Sequence, residues 1–222
     1  MKTEYDYIER IGGTWENDNN NPGASNKYNQ YDKESRENLM GFLLPPGEKI
    51  LDIGCSIGVW AEFLEQKGFW ERWGVDISEE RLKEARKRGY QTLQTNGTCL
   101  PEALPSFDAV ICIDVLVHTL QDKDRQQLMN EAYRTLKPNG VFIFSVQPKT
   151  SVSYCKPLSI AHAQEMALNA GFTVEKTVGI QYFPLTWKEG FGIAYFWDWL
   201  LGLNAPELAN VVFIKAIKTR KS

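Results

Sequence analysis

One short stretch combines an acidic residue with a glycine turn in a way that suits a nucleotide-like ligand. Residues 49–58 read KILDIGCSIG, an apolar run that is interrupted by Asp52 and followed by Gly54 and Gly58. A buried strand that breaks at a glycine turn into a helix brings backbone N–H groups up to such a ligand. A carboxylate in a buried run needs hydrogen-bond partners. We therefore expect either the glycine turn or a ligand to supply partners for Asp52.

A second acidic residue follows at a distance that suits a ribose. Asp76 ends the next apolar run, roughly 20 residues after the turn, where an acid can accept bonds from both ribose hydroxyls of an adenosine. The structural alternative is an acid at the start of a helix, because Ser78 beside it is a good N-cap residue. We favour the ribose role, since the strand, the turn and the acid agree.

The glycine spacing argues against phosphate-binding turns. A dinucleotide fingerprint would read G-x-G-x-x-G, whereas residues 54–58 read GCSIG. The stretch also has no G-x-x-x-x-G-K, which excludes a P-loop. A turn without Lys or Arg and with an upstream acid suits an adenosine that carries a cationic amino acid better than it suits a pyrophosphate. An NAD-dependent oxidoreductase is therefore the least favoured of the alternatives.

The composition is that of an ordinary soluble domain. The chain has 222 residues, a formal net charge of −3, 43% hydrophobic and 24% charged residues, which suits one domain with a sizeable core. This net charge gives no electrostatic footprint for nucleic acid, although a local basic patch remains compatible with it. The polar N-terminus has no signal-peptide pattern, and no apolar run could span a membrane. We expect a cytoplasmic location.

The cysteines and histidines show no metal-binding pattern. The four cysteines have no CxxC and no regular spacing, and we interpret them as free thiols in a reducing compartment. The two histidines, His118 and His162, belong to no recognisable ligand set, so we predict no metal site. These residues are Cys55, Cys99, Cys112, Cys155, His118 and His162.

Strand and helix patterns alternate from residue 49 onward. This alternation predicts an α/β fold, a doubly wound and mostly parallel sheet with helices on both faces. The last two strands lack an ordinary helix between them, which suggests a hairpin-like pair with one antiparallel strand. The predicted strands are 50–54, 71–77, 90–96, 106–114, 141–146, 173–183 and 210–218. The predicted helices are 33–44, 57–67, 79–88, 122–136 and 159–170.

Two segments lie outside this alternation. Residues 1–34 form a polar arm with several aromatic residues, which we interpret either as pinned to the surface or as a lid over a pocket. The domain itself would occupy 35–222, with an aromatic-rich insert at 184–209. That insert could pack on the chain's own core, line a pocket for an apolar acceptor or form a dimer contact. A membrane contact through 190–203 is the least favoured, because basic flanks are missing.

Five stretches together resemble class I S-adenosylmethionine-dependent methyltransferases, from about residue 45 to residue 150. LDIGCSIGVWAEFL resembles the first motif of that family, with Ser56 in place of its middle glycine. GVDIS resembles the ribose-binding motif, and NGTCLP stands where the family often has Asp-Ala-x-x-Leu-Pro. FDAVICIDVLVH resembles the central-strand motif and LKPNGVFIFSV the motif after the next helix. These stretches occupy residues 51–64, 74–78, 96–101, 107–118 and 136–146.

The resemblance implies a fold, a cofactor and a set of binding residues. The sheet would have seven strands in the order 3-2-1-4-5-7-6 with strand 7 antiparallel, and the cofactor would be S-adenosylmethionine (SAM). The methionine part would meet one group of residues and the adenosine part another. The first group is Asp52, Gly54, Cys55, Ser56, Gly58 and Asp114, with Val115 beside it. The second group is Asp76 at the ribose, Ile77 on the adenine, and Asn96 and Gly97 near the adenine amino group.

The resemblance further implies methyl transfer to a small molecule, most simply at a hydroxyl oxygen, with S-adenosylhomocysteine (SAH) as product. Nitrogen or carbon acceptors remain open. His118 follows the central strand by four residues and is the predicted general base, because its ordinary pKa suits proton removal. The alternative is a structural histidine bonded within its own loop. A cofactor-binding homologue without methyl transfer is the second hypothesis, kept open by Ser56 and Asn96. The sequence does not determine the oligomeric state.

Overall fold

Seven strands form one sheet, and the helices pack on its two faces. The computed structural model describes residues 26–149, 155–180 and 200–219. Within these ranges the helices with both ends described are α1 (Asn26–Leu43), α2 (Ala61–Gln66), α3 (Glu79–Lys87), α4 (Asp122–Thr135) and α5 (Ile160–Ala170). Residues 200–202 are also helical, and Pro206–Leu208 forms a 3-10 turn. The strands are β1 (Lys49–Ile53), β2 (Glu71–Asp76), β3 (Tyr90–Gln94), β4 (Phe107–Cys112), β5 (Leu136–Val146), β6 (Thr173–Ile180) and β7 (Val211–Ile217).

The strand order is β3-β2-β1-β4-β5-β7-β6. The first five strands in this order pair in parallel, whereas β7 runs antiparallel to both of its neighbours. Helices α1, α2 and α3 contribute to one buried cluster and α4 and α5 to the other. The predicted fold class, strand order and antiparallel strand 7 are therefore confirmed.

The central position of β1 explains its apolar sequence. It pairs with β2 on one side and β4 on the other. Ile50, Leu51 and Ile53 are each at most 1% exposed, as expected for a strand covered on both faces. Because Ile53 pairs with Val75 in parallel, the residues that follow β1 and β2 lie side by side at one edge of the sheet. This edge is where ligands bind in such folds.

Several element boundaries differ from those predicted. Helix α1 begins at Asn26 instead of residue 33 and so passes through the predicted boundary at 34. Helix α2 begins at Ala61 instead of residue 57, because Gly58 has a φ of 79° and residues 57–60 form turns. The KPNG segment is part of β5 and not a separating turn. A positive φ at Asn139 and a shift in register against β4 accompany this continuation.

The predicted arm and insert fall largely outside the described residues. Residues 1–25 and 181–199 are not among them, so the lid, the aromatic insert and the division at residue 34 stay predictions. None of the helices in the described ranges is long and apolar enough to cross a membrane.

Candidate functional site

The turn after β1 is closed against the loop that follows β4. Gly54 has a φ of 77°, and a Cβ placed on it would lie 2.2 Å from Cγ2 of Val115. The N–H groups of Gly54 and Cys55 both donate to the carbonyl of Val75, at 2.7 and 3.0 Å. Only glycine has both the left-handed freedom and the small volume that this position requires. The turn is thus anchored to β2 on one side and packed against the loop that follows β4 on the other.

Ser56 adopts a left-handed backbone conformation of the kind that glycine favours. Its φ is 52°, a left-handed value that costs a residue with a side chain about 1–2 kcal/mol. Its N–H donates to Oδ2 of Asp76 at 3.0 Å. A bond to a carboxylate is stronger than one between neutral groups. The bond to Asp76 therefore helps to hold Ser56 in this conformation.

Asp76 is oriented by two backbone N–H groups. Ser56 donates to Oδ2 and Ser78 donates to Oδ1, each at 3.0 Å, and the residue is 8% exposed. Ser78 is at the N-cap of α3, as predicted, but its side chain makes no capping bond and its N–H serves Asp76 instead. Each carboxylate oxygen can accept a second bond. Ile77, next to Asp76, is half-buried, and its carbonyl accepts a bond from Gln94.

Asp52 receives its hydrogen bond from a residue that the sequence analysis did not identify. Its carboxylate is 2% exposed and accepts from the hydroxyl of Tyr90 at 3.1 Å. Tyr90, and not the glycine turn, supplies this partner, because the N–H groups of the turn go to Val75 and Asp76. Burial raises the pKa of Asp52 to about 7, the charge of Asp76 adds to this shift, and the Tyr90 bond opposes it.

The thiol of Cys55 is inert in this environment. The residue is 2% exposed, and burial is the main cause that raises the pKa of its thiol, with the charges of Asp52 and Asp76 adding to it. Its Sγ lies 3.6 Å from the carbonyl oxygen of Ser56. All four cysteines are free, in agreement with the prediction. Cys55 therefore lines the turn as a small neutral side chain and not as a nucleophile.

The loop after β4 carries an acid with a strained backbone, and this acid has two partners that the sequence analysis missed. Asp114 has a φ of 59°, and its N–H donates to Oγ of Ser145 at 2.7 Å. That hydroxyl donates back to Oδ1 at 3.2 Å. Arg36 of α1 reaches Oδ2 at 2.7 Å. A serine in the apolar run of β5 was a visible signal, whereas nothing in the sequence pairs Arg36 with Asp114.

Asn96 and Gly97 follow β3 at the same edge. Asn96 is exposed, and its Oδ1 accepts from the N–H and the hydroxyl of Thr98, at 3.1 and 2.8 Å. Both lone pairs of that oxygen are engaged within its own turn, so contact with an adenine amino group would replace a bond to Thr98. Gly97 is buried, and a Cβ placed on it would lie 2.8 Å from Cγ2 of Ile53. The loop after β3 thus lies against the end of β1.

His118 is half-buried at the end of the loop that follows β4. Its backbone N–H donates to the carbonyl of Val115 at 2.9 Å, and its Nδ1 lies 3.6 Å from Sγ of Cys155. Burial lowers the pKa of His118, the charge of Asp114 opposes this shift and that of Arg81 adds to it. The imidazole is therefore neutral at neutral pH. His162 lies on α5, away from this loop in the chain, with its Nε2 4.0 Å from Asp122.

Direct contacts bring the ends of β1, β2 and β4 together. Asp76 is bonded to Ser56, Val115 lies against Gly54, and Asp114 follows β4 beside Arg36. This edge of the sheet thus combines an acceptor carboxylate with a pair of opposite charges. Within the described ranges no group of three or more His, Cys, Asp or Glu side chains could hold a metal ion. This set of groups suits an adenosine with an amino acid attached to it, as the sequence predicts.

Comparison with known proteins agrees with this geometry. Residues 50–140 match a family model described as a methyltransferase domain. The chain is 27% identical over 171 residues to a ubiquinone biosynthesis O-methyltransferase of Psychrobacter arcticus, covering 63% of this chain and 65% of that protein. It is 37% identical over 117 residues to an 18S rRNA (guanine(1575)-N(7))-methyltransferase of Saccharomyces cerevisiae, covering 48% and 42%. The chain therefore matches less than two thirds of the length of either relative.

The solved structures agree on the fold. A magnesium protoporphyrin IX methyltransferase from Synechocystis, crystallised with bound SAM, superposes with a TM-score of 0.64 at 18% identity, covering 98% of this chain and 92% of that one. The likeness shows the architecture, and the family model identifies residues 50–140 as a methyltransferase domain. The chain therefore contains a methyltransferase domain and has the fold of S-adenosylmethionine-dependent methyltransferases.

Proposed function

We propose that this chain binds SAM in the crevice at the ends of β1, β2 and β4 and transfers its methyl group to a hydroxyl oxygen of a small molecule. The observation that carries this proposal is the carboxylate of Asp76, which is held by the N–H groups of Ser56 and Ser78 at 3.0 Å. Each of its oxygens has acceptor capacity for one ribose hydroxyl. Ile77, beside Asp76, would pack on the adenine, with Asn96 and Gly97 at its edge.

Opposite charges at the other end of the crevice suit the amino acid part of SAM. Arg36 and Asp114 form an ion pair at 2.7 Å. The guanidinium of Arg36 could bind the carboxylate of SAM, and the carboxylate of Asp114 could bind its ammonium group. Asp52, with a pKa of about 7, adds an acid that a nearby ammonium would favour in its ionised form. The turn from Gly54 through Cys55 and Ser56 to Gly58 would lie along the methionine chain.

SAM supplies a methyl group on a sulfonium, which the acceptor oxygen takes as the carbon–sulfur bond breaks and its electron pair stays on sulfur, giving SAH. The protein's part is to hold the reactants in line and to orient the acceptor oxygen. His118 is the residue that we place at the acceptor. The hydroxyl proton leaves to a base or to water as the new bond forms.

The relatives support a small-molecule acceptor without identifying it. The Psychrobacter relative is named for ubiquinone biosynthesis and for O-methyl transfer, which favours a hydroxyl on a quinone-like or similarly apolar ring. The yeast relative is named for N-methyl transfer to rRNA, but the net charge of −3 in this chain gives no electrostatic support for an RNA partner.

Calorimetry tests the cofactor assignment first. We expect SAM and SAH to bind and NAD not to bind. Asp76→Ala should weaken SAM binding roughly 100-fold, because two bonds to a charged group each contribute about 1.5 kcal/mol. Glu84→Ala is the matched control, since Glu84 is an exposed carboxylate on the same helix that follows Asp76. Binding of NAD without binding of SAM would overturn the proposal.

Methyl transfer is then measured with SAM that carries an isotopically labelled methyl group. The acceptor panel should contain phenols, catechols, quinols, sugars and amines. We expect label to appear in a phenol or quinol and SAH to form in equal amount. Label in amines alone would overturn the oxygen assignment, and SAM binding without product from any acceptor would favour a homologue without methyl transfer.

A further inference from the structure

A side chain of the loop after β4 contacts a cysteine from a later segment, with Nδ1 of His118 and Sγ of Cys155 3.6 Å apart. We propose that the Cys155 thiol donates this hydrogen bond and thereby holds His118 as the tautomer with its proton on Nε2. His118 then serves the acceptor oxygen as a hydrogen-bond donor and not as the general base. Cys155 is a positioning residue that acts through His118. The donor role rests on the proposed function, because it places His118 at the acceptor.

A buried arginine builds the contact between the two segments. The guanidinium of Arg125, whose side chain is 1% exposed, donates to the carbonyl of Leu116 at 3.0 Å and to the carbonyl of Lys156 at 2.6 Å. The N–H of Lys156 donates to the carbonyl of Val117 at 2.9 Å. A buried charge is retained only where such bonds satisfy it. Three hydrogen bonds therefore lock the residues beside Cys155 to those beside His118, so the contact follows from the fold.

The chemistry of the two groups sets the direction of the bond. Burial raises the pKa of the Cys155 thiol, with the charge of Asp114 adding to it, so the sulfur carries its proton at neutral pH. Burial lowers the pKa of His118, so its ring is neutral and carries one proton. A sulfur is a weak acceptor, whereas the unprotonated imidazole nitrogen accepts readily. With Nδ1 accepting from the thiol, the ring proton must lie on Nε2.

This tautomer has a kinetic consequence that separates a donor from a base. A base at Nε2 loses activity as the pH falls through the pKa of His118, because its nitrogen becomes protonated. A donor at Nε2 keeps its proton in both the neutral and the charged ring. Among the described residues, the charges that shift the pKa of His118 are Asp114 in the same loop and Arg81 on α3. The acid side of the kcat profile should therefore not follow the titration of His118.

Nuclear magnetic resonance tests the tautomer without acceptor or SAM. The chain has two histidines, so protein labelled with ¹⁵N-histidine gives two ring systems, and His162 on α5 is an internal reference. We expect His118 to carry its proton on Nε2. Cys155→Ala should make its tautomer less one-sided and raise its pKa, because a bond to the neutral ring is lost. Cys155→Ser should restore both values, since a hydroxyl also donates, and Cys99→Ala, at an exposed thiol, should change neither.

The proton on Nδ1 in the unmodified chain would overturn the proposal, as would an unchanged tautomer and pKa in Cys155→Ala. The second test uses activity. Because the amide N–H₂ of glutamine can replace Nε2–H, His118→Gln should keep kcat within about tenfold, whereas His118→Ala should lose about 100-fold, as for loss of one oriented donor. Equal losses in both variants would overturn the donor role. If the proposed methyl transfer is wrong, no product forms with any acceptor. The tautomer of His118 is still measured in that case, so the two proposals fail independently.

Discussion

The hydroxyl of Tyr90 donates to the carboxylate of Asp52 over 3.1 Å, although β3 and β1 are separated by β2 in the sheet. The ring of Tyr90 reaches across Gly74, which is paired with Asp52 in the register of β1 and β2. A Cβ on Gly74 would lie 2.8 Å from the ring of Tyr90 and 2.5 Å from Sγ of Cys55. A glycine on the middle strand thus opens the path by which the buried acid obtains its partner.

Asp52 should make stability depend on pH in the acid-to-neutral range. Its pKa in the fold is about 7, above the ordinary 3.8, so the folded state disfavours the ionised form. The contribution of Asp52 to the free energy of unfolding is fully present below a pH of about 4 and is lost as the pH rises to about 7. The free energy of unfolding falls by up to about 1.4 kcal/mol per pH unit in this range. Asp52→Asn should abolish this loss. Urea unfolding between pH of about 5 and about 8 measures it.

Tyr90→Phe removes the other partner of the same hydrogen bond and should change the pH dependence in the opposite direction. It removes the bond that favours the ionised carboxylate, so the pKa of Asp52 should rise further and the loss of stability should extend to higher pH. An equal dependence of unfolding free energy on pH in the unmodified chain and in Asp52→Asn would contradict the role of this carboxylate.

Gly54→Ala should destabilise the fold by about 3 kcal/mol, because the new methyl group meets Val115 and the left-handed φ is strained. SAM binding should be lost with it. The double variant Gly54→Ala, Val115→Ala should recover only the part of the lost stability that comes from the clash. The Cγ2 of Val115 at 2.2 Å is removed, whereas the φ of 77° at residue 54 remains. Gly41→Ala on α1 is the control, because a Cβ there has no neighbour closer than 3.7 Å. That control should be neutral or slightly stabilising, and a loss equal to that of Gly54→Ala would refute the steric explanation.

Ser56 can be tested as a tolerated replacement for glycine. Ser56→Gly removes a strain of about 1 kcal/mol at a φ of 52° but adds a similar entropic cost, so stability should change by less than about 1 kcal/mol. The N–H to Asp76 is kept, and SAM affinity should be retained. Ser56→Val should cost about 2 kcal/mol or more, because a β-branched residue tolerates positive φ poorly. Thermal unfolding and calorimetry report both values, and equal behaviour of the two variants would show that the φ is unimportant.

Arg36 and Asp114 should be energetically coupled. Removing either partner leaves the other charge in a largely buried place, with Arg36 at 7% exposure, so Arg36→Met and Asp114→Asn should each cost about 1–3 kcal/mol and weaken SAM binding. The double variant should cost less than the sum of the two. Urea unfolding of the four proteins gives the coupling. The exposed pair Lys83 and Glu80 is the control and should show no measurable coupling. Strictly additive losses of stability in the Arg36 and Asp114 variants would refute their coupling.

Local features were predictable because they depend on neighbours in the chain. Adjacent residues encode the apolar run, the glycine turn and the acid after β2. These features correctly predicted that Gly54 and Asp76 lie at one edge of the sheet. The strand order came from the family resemblance and is confirmed. The same local reasoning misjudged KPNG, which continues as part of β5, because the N–H of Asn139 donates to the carbonyl of Lys218 at 2.7 Å. A pairing with a strand near the far end of the chain overrides a turn signal.

The sequence by itself determined the fold class and the acid that follows β2, since periodicity and turn chemistry are short-range properties. The family resemblance of its motifs implied the cofactor. The tertiary structure alone decided which groups complete the site. Tyr90 lies 38 residues from Asp52 and Arg36 lies 78 residues from Asp114, and Cys155 meets His118 across 37 residues. The residue pattern of one segment does not encode how a distant segment packs against it. These partners are therefore identified only in the folded structure, where packing brings the segments together.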